Sequence, residues 1–145
     1  MIKQLETLTM EEREILFSAP VFISVLASCS FNEINKIDKA RAIELSHLKT
    51  FTADPILRSY FLKVESDFKS QFEIIAKAYF PFDENRRNAL KVQINKVSHI
   101  LGKLAKTYSQ ALNKSLERYG KHVKKATHTV FHNFIFPVPI PQLTD

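Results

Sequence analysis

Glycine, cysteine and tryptophan are nearly missing: the 145 residues contain two glycines, one cysteine and no tryptophan. With so little glycine the tight turns of hairpins have few places to form, which argues against an all-β architecture. A lone Cys29 excludes an intrachain disulfide, and its solitude fits a reducing compartment, here expected to be the cytoplasm, better than a secreted scaffold. Motifs of catalysis are lacking as well. There is no glycine-rich phosphate loop, no nucleophile elbow, and no helix with paired carboxylates and a histidine at ligand spacing. No catalytic residue and no cofactor are therefore expected.

Long apolar runs are also scarce. The longest, residues 15–29, is too short to cross a bilayer as a helix. Its end, Leu26-Ala27-Ser28-Cys29, matches the pattern cleaved in bacterial lipoproteins. Residues 1–14, however, carry a net charge of −2, whereas an export signal begins positive. A buried core helix is the better reading.

Leu, Ile, Lys, Ala and Glu recur with apolar positions three or four apart, which is the helical period. Thr9 followed by Glu12 forms a capping-box signature, so a helix begins near Met10. Pro20 lacks an amide donor and disfavours helical geometry at Ala19, so this helix is expected to stop or kink there and a second to start at Pro20 or Val21. Phe31 to Ile34 reads as a short loop, and Asn35 as the cap of a third helix reaching about Thr50. Asp54-Pro55 starts a fourth, whose stripe of Leu57, Phe61, Val64, Phe68, Phe72, Ile75 and Tyr79 runs to Pro81.

Asp83 caps the next stripe: Leu90, Ile94, Val97, Leu101, Leu104, Tyr108, Leu112, Leu116, Tyr119, Val123 and Ala126. An unbroken helix over residues 84–127 would extend about 66 Å at 1.5 Å per residue, against about 40 Å for a compact domain of this size. Gly102 is the expected break, giving helices over 84–101 and 103–127. The reading is all-α: a single-domain bundle of about six helices over residues 1–130, with an extended tail over 131–145. In the tail Pro137, Pro139 and Pro141 impose a polyproline-like course on Phe131, Phe134, Phe136, Val138 and Ile140. That segment is expected to bury its apolar side chains on its own domain or on a second copy, which would make a homodimer.

Charge is the most informative feature. Residues 1–83 carry −2 and residues 84–128 carry +9, so nearly all of the excess of +6 falls on the last helical region. Arg86, Arg87, Lys103, Lys106, Lys114, Arg118, Lys121, Lys124 and Lys125 form a candidate face for an acidic protein, an anionic membrane surface or a nucleic acid. The bland alternative is a solvated face, or one that meets the acidic first half of the chain. His122, His128 and His132 have spacings that could share a helix face, but with only Glu117 nearby they lack the ligands of a metal site. Twelve phenylalanines leave open a second function, a carrier of a lipid or small apolar ligand between helices.

The run Phe22-Ile23-Ser24-Val25-Leu26-Ala27, then Asn32-Glu33-Ile34-Asn35 and a helix, resembles the start of the tellurite-resistance TerB-like family. Fainter echoes follow in Leu57-Arg58-Ser59-Tyr60-Phe61 and Lys121-His122-Val123. The family's loop has the form Asp-Gly-X-Ile-Asp with a following glutamate. Here Ile34 and the acidic Asp38 follow it, while Phe31 and Asn35 replace its two aspartates. The resemblance implies a small all-helical, stress-associated interaction module, without the acidic set of a metal loop. The leading functional expectation is a noncatalytic binding or scaffold domain that uses the basic face.

Overall fold

The computed structural model describes residues 2–30 and 33–123. They form an all-α domain of five α-helices: α1 (Met10–Ser28), α2 (Lys36–Thr52), α3 (Arg58–Ala78), α4 (Glu84–Leu101) and α5 (Lys106–Val123). Short 3-10 turns precede α1 at Lys3–Leu5 and α3 at Pro55–Leu57. The expected loop after α1 instead holds a two-residue antiparallel ladder, β1 (Cys29–Ser30) with β2 (Glu33–Ile34), pairing Cys29 with Ile34 and Ser30 with Glu33. The expected tail, residues 131–145, and the end of the last expected helix beyond Val123 lie outside the described residues.

The helix starts arise where the sequence places them. Thr9 and Glu12 make both bonds of a capping box, at 2.9 and 3.1 Å. Asn35 Oδ1 accepts from the amides of Ile37 and Asp38, Asp54 from Ile56, and Asp83 from Arg86. Each cap removes an otherwise unpaired amide donor. α4 ends at Leu101 and Gly102 follows it in right-handed geometry at φ −65°. A Cβ there would stand 3.3 Å from the His99 carbonyl oxygen. Two tight 3-10 bonds, Lys103 N to Ile100 O and Leu104 N to Leu101 O, turn the chain toward α5.

Two helix boundaries differ from expectation: α5 begins at Lys106 rather than at residue 103, after the tight turn at Gly102, and α1 does not stop at Pro20. α1 runs through Pro20 without a break, so two expected helices are one and the count is five rather than six. Pro20 has no N–H to give the carbonyl of Leu16, four residues earlier, and an unpaired carbonyl in the core would be costly. The Tyr60 hydroxyl takes the place of that amide and donates to Leu16 O at 2.6 Å. Ser24 Oγ donates back to Pro20 O at 2.7 Å, which satisfies a hydroxyl that has no access to water.

With the proline accommodated, α1 becomes the central helix and packs on α2, α3, α4 and α5 in turn. Every residue from Ala19 to Cys29 is buried, so the second half of α1 is enclosed on all sides, as an apolar helix without a polar face must be. The stripes of the other helices close on it. Leu57 is buried in the turn before α3, Phe61, Val64, Phe68 and Phe72 along α3, and Leu90, Ile94, Val97 and Leu101 along α4. Tyr108, Leu112, Leu116, Tyr119 and Val123 form the buried side of α5. Tyr60, fully buried, stacks on Phe17 at 5.5 Å and meets Phe61 edge-on at 5.0 Å. Tyr119 lies 6.4 Å from the Phe68 ring and donates its hydroxyl to Ala42 O at 2.8 Å, which ties α5 to α2.

Burial pushes the phenols of Tyr60 and Tyr119 well above their ordinary range, and raises Tyr108 to about 12. In the unfolded chain a tyrosine ionises near pH ~10. Above that pH the unfolded state loses protons that the folded state keeps, so the stability these groups contribute is complete below pH ~10 and declines as pH rises through the folded values. Alkaline titration of stability by urea denaturation should show this decline. The Tyr108 hydroxyl has no hydrogen-bond partner, so Tyr108→Phe should flatten the decline without loss of stability at neutral pH.

The substitution for the missing amide gives a second expectation. Tyr60→Phe should cost about 1–3 kcal/mol, the range for leaving a buried acceptor unpaired. With Pro20→Ala the helix recovers its own donor to Leu16 O, and the same Tyr60→Phe change should then cost less. A double-mutant cycle by urea denaturation measures the coupling. Equal costs in the two backgrounds would show that the hydroxyl does not replace the amide.

Candidate polyanion-binding face

The nine cations singled out in the sequence divide into three groups. Four are engaged within the fold. Arg86 donates to the carbonyls of Ala78 at 3.3 Å and Phe80 at 2.9 Å, at the C-terminal end of α3. Arg87 donates to Cys29 O at 2.8 Å, where α1 ends. Lys103 is ion-paired with Glu12 in the first turn of α1, and Lys121 pairs with Glu117 one turn away at 3.3 Å. The Glu12 carboxyl is held below its ordinary range, first by the Lys103 ammonium and then by the Thr9 amide. Lys124 and Lys125 lie outside the described residues.

Lys106, Lys114 and Arg118 remain, and all three are exposed on α5. Together with Gln110 and His122 they stand four residues apart, so they follow one slowly turning line along the helix, with about 6 Å between successive positions and about 24 Å from end to end. Glu117 is the one carboxylate in α5, and it pairs with Lys121. His122 Nδ1 lies 2.7 Å from Arg118 O. A carbonyl only accepts, so Nδ1 carries the proton and Nε2 is left as the ring's other polar atom.

The helix is oriented by its opposite side. Its buried arc combines the large Leu112, Leu116 and Tyr119 with the small Ser109, Ser115 and Gly120. At its start, Ser109 Oγ donates to Leu101 O at 2.8 Å. At its end Arg41 donates to Val123 O at 3.0 Å while pairing with Asp38 at 3.2 Å. Arg41 was not among the expected site residues, and nothing local marks it: its partner carbonyl is 82 residues away.

Space for an apolar ligand was the other expectation. Among the described residues, an enclosed gap between Ala19, Ile23, Ile94, Val97, Leu101 and Leu116 measures about 10 Å³, too small for a lipid. Larger volumes occur as grooves open to solvent on the α1–α3 side. Among the described residues no three potential metal ligands come together, and no helix is long and apolar enough to cross a membrane. His128 and His132 lie outside the described residues. No family model, curated protein or solved structure matches the chain.

The two kinds of cation should separate on mutation. Arg87→Gln removes a charge-assisted bond to a helix-end carbonyl and should lower stability by about 1–2 kcal/mol. Lys114→Gln should change it by less than about 0.5 kcal/mol, as for an ordinary surface position. Thermal or urea denaturation of the two variants provides the comparison.

Proposed function

We propose that this chain is a noncatalytic helical binding domain, of the TerB-like type in its element order, that presents the outer face of α5 to an acidic partner. The observation that carries this reading is the row of Lys106, Lys114 and Arg118, exposed at helical spacing with no ion pair among the described residues. Four other cations of the same region already serve the fold, so these three are surplus to its internal pairing. Gln110 and Thr107 between them are polar, and the outer arc offers no large apolar side chain to insert into a bilayer. Attraction to the partner is therefore electrostatic and at the surface. An acidic protein, an anionic membrane surface and a nucleic acid all supply the required charge.

Binding of this kind weakens as salt rises, because each neutralised phosphate or carboxylate releases counterions. Titration of the protein with a duplex oligonucleotide, phosphatidylserine vesicles and polyglutamate at several salt concentrations should show association at low ionic strength with at least one of them. For the oligonucleotide, the slope of log K against log salt should fall by about 2–3 when Lys106, Lys114 and Arg118 are changed together to glutamine. An unaltered salt slope in the triple variant, with its circular dichroism intact, removes the face from the proposal. Association with none of the three probes rejects the polyanion reading altogether.

A further inference from the structure

The solvent face of α3 carries mixed charge: Lys63, Asp67, Lys69, Glu73 and Lys77 are all exposed, and Lys63 pairs with Asp67 at 3.6 Å. The outer side of α4 is different. Asn85, Asn88, Val92, Asn95 and His99 are all exposed and follow one another at steps of three, four, three and four residues, which aligns them in one stripe down the helix. Glu84, in the first turn, is the one carboxylate on α4. Asn88 and Asn95 lie in the helix interior, where asparagine is a poor helix former because its amide competes for the backbone. Neither makes a side-chain hydrogen bond among the described residues, and Val92 between them stands 53% exposed. The fold draws nothing from these three side chains.

We propose that this stripe enters the major groove of duplex DNA and reads base edges there. The inference rests on the polyanion reading of α5 and names the partner. A side-chain amide pairs bidentately with the N6 and N7 edge of adenine, and an apolar side chain such as Val92 packs on the thymine methyl. Asn88, Val92 and Asn95 cover about 10 Å of helix at 1.5 Å per residue, the rise of about three base pairs. A helix about 10–12 Å across fits the B-form groove, which is about 12 Å wide. The deep, narrow major groove of an RNA duplex does not admit one. No Phe, Tyr or Trp is exposed on α4 or α5, so the stacking on which single-strand binding depends has no platform.

Phosphates line both edges of the groove, and the fold sets cations on both sides of the stripe. At about 100° per residue, Lys96 and Ser98 occupy opposite shoulders of α4. Lys96 is exposed. Ser98 lines a small gap together with Leu116 of α5, so α5 runs along that shoulder. The two helices are antiparallel over α1. Arg87 of α4 meets the end of α1 at Cys29, and Lys103, after α4, meets its start at Glu12. α5 returns the other way and ends at Val123, held by Arg41 near the start of α2. Its exposed row of Lys106, Lys114 and Arg118 therefore borders the stripe. The phosphates of one strand meet Lys96 and those of the other meet the α5 row, with the base edges between them.

A pool of DNA duplexes with a randomised centre, bound to the full-length chain at moderate salt, should enrich a short element containing A·T pairs. Within that element, replacing adenine by deaza-adenine, which lacks the N7 acceptor, should weaken binding about five-fold or more. Asn88→Ala with Asn95→Ala should erase the preference for the selected duplex over an unselected one while the salt slope stays unchanged. Alanine is the better helix former, so this variant keeps its fold. Changing Lys106, Lys114 and Arg118 together to glutamine should instead weaken both duplexes alike. An unenriched pool, a preference that survives in the double asparagine variant, or indifference to the deaza base overturns the inference. Binding to phosphatidylserine vesicles or polyglutamate but to no duplex overturns it too, and leaves the polyanion reading standing. A dimer that Val92→Arg dissociates makes a second copy the occupant of the stripe and overturns it equally.

Discussion

The hydrogen bond from the Tyr60 hydroxyl to the Leu16 carbonyl is the interaction on which the rest of the bundle depends. α1 is the helix that every other helix touches, and a proline in its interior would ordinarily end it. The bond lets α1 continue through Pro20, because the orphaned acceptor is satisfied from another helix. It also fixes the first turn of α3 against the middle of α1, where Tyr60 stacks on Phe17. One donor thus keeps the central helix whole and sets the depth at which α3 docks. The phenol stays protonated because burial opposes its ionisation, so the donor persists to strongly alkaline pH.

The same logic governs the helix ends. The last carbonyls of a helix have no amide partners of their own and carry its negative dipole end. Arg86 serves the end of α3, Arg87 that of α1 and Arg41 that of α5. Each arginine therefore joins two elements while completing the hydrogen bonding of one. Much of the cationic excess in the second half of the chain is consumed in this way, together with the Lys103–Glu12 and Lys121–Glu117 pairs.

What was legible in the sequence follows from the range of each interaction. The caps at Thr9, Asn35, Asp54 and Asp83 act within three residues, and each was readable from residue type and spacing. The stripes of α3, α4 and α5 were readable because burial repeats with the helical period. Pro20 was misread because its compensation comes from Tyr60, 44 residues away. The division of the basic residues was hidden for the same reason: Arg87 finds its carbonyl at a separation of 58 residues, and composition cannot distinguish such an arginine from Arg118. The exposure of Lys106 and Lys114 was legible, since helical phase alone turns them away from Leu112 and Leu116.

The division between arginine and lysine bears on how the exposed row could act. A guanidinium is a planar fork suited to a fixed pair of acceptors, and three such forks are spent on backbone carbonyls. The outer face of α5 keeps two ammonium groups and one guanidinium, which are chiefly mobile point charges on flexible stems. The backbone beneath them is held by Ser109 at one end, Arg41 at the other and Tyr119 between. The spacing of the charges is therefore rigid while their tips are free. On the proposed reading, such a surface would recognise the density of negative charge on a partner and its approximate line, with little of the bidentate geometry by which a particular base or side chain is read.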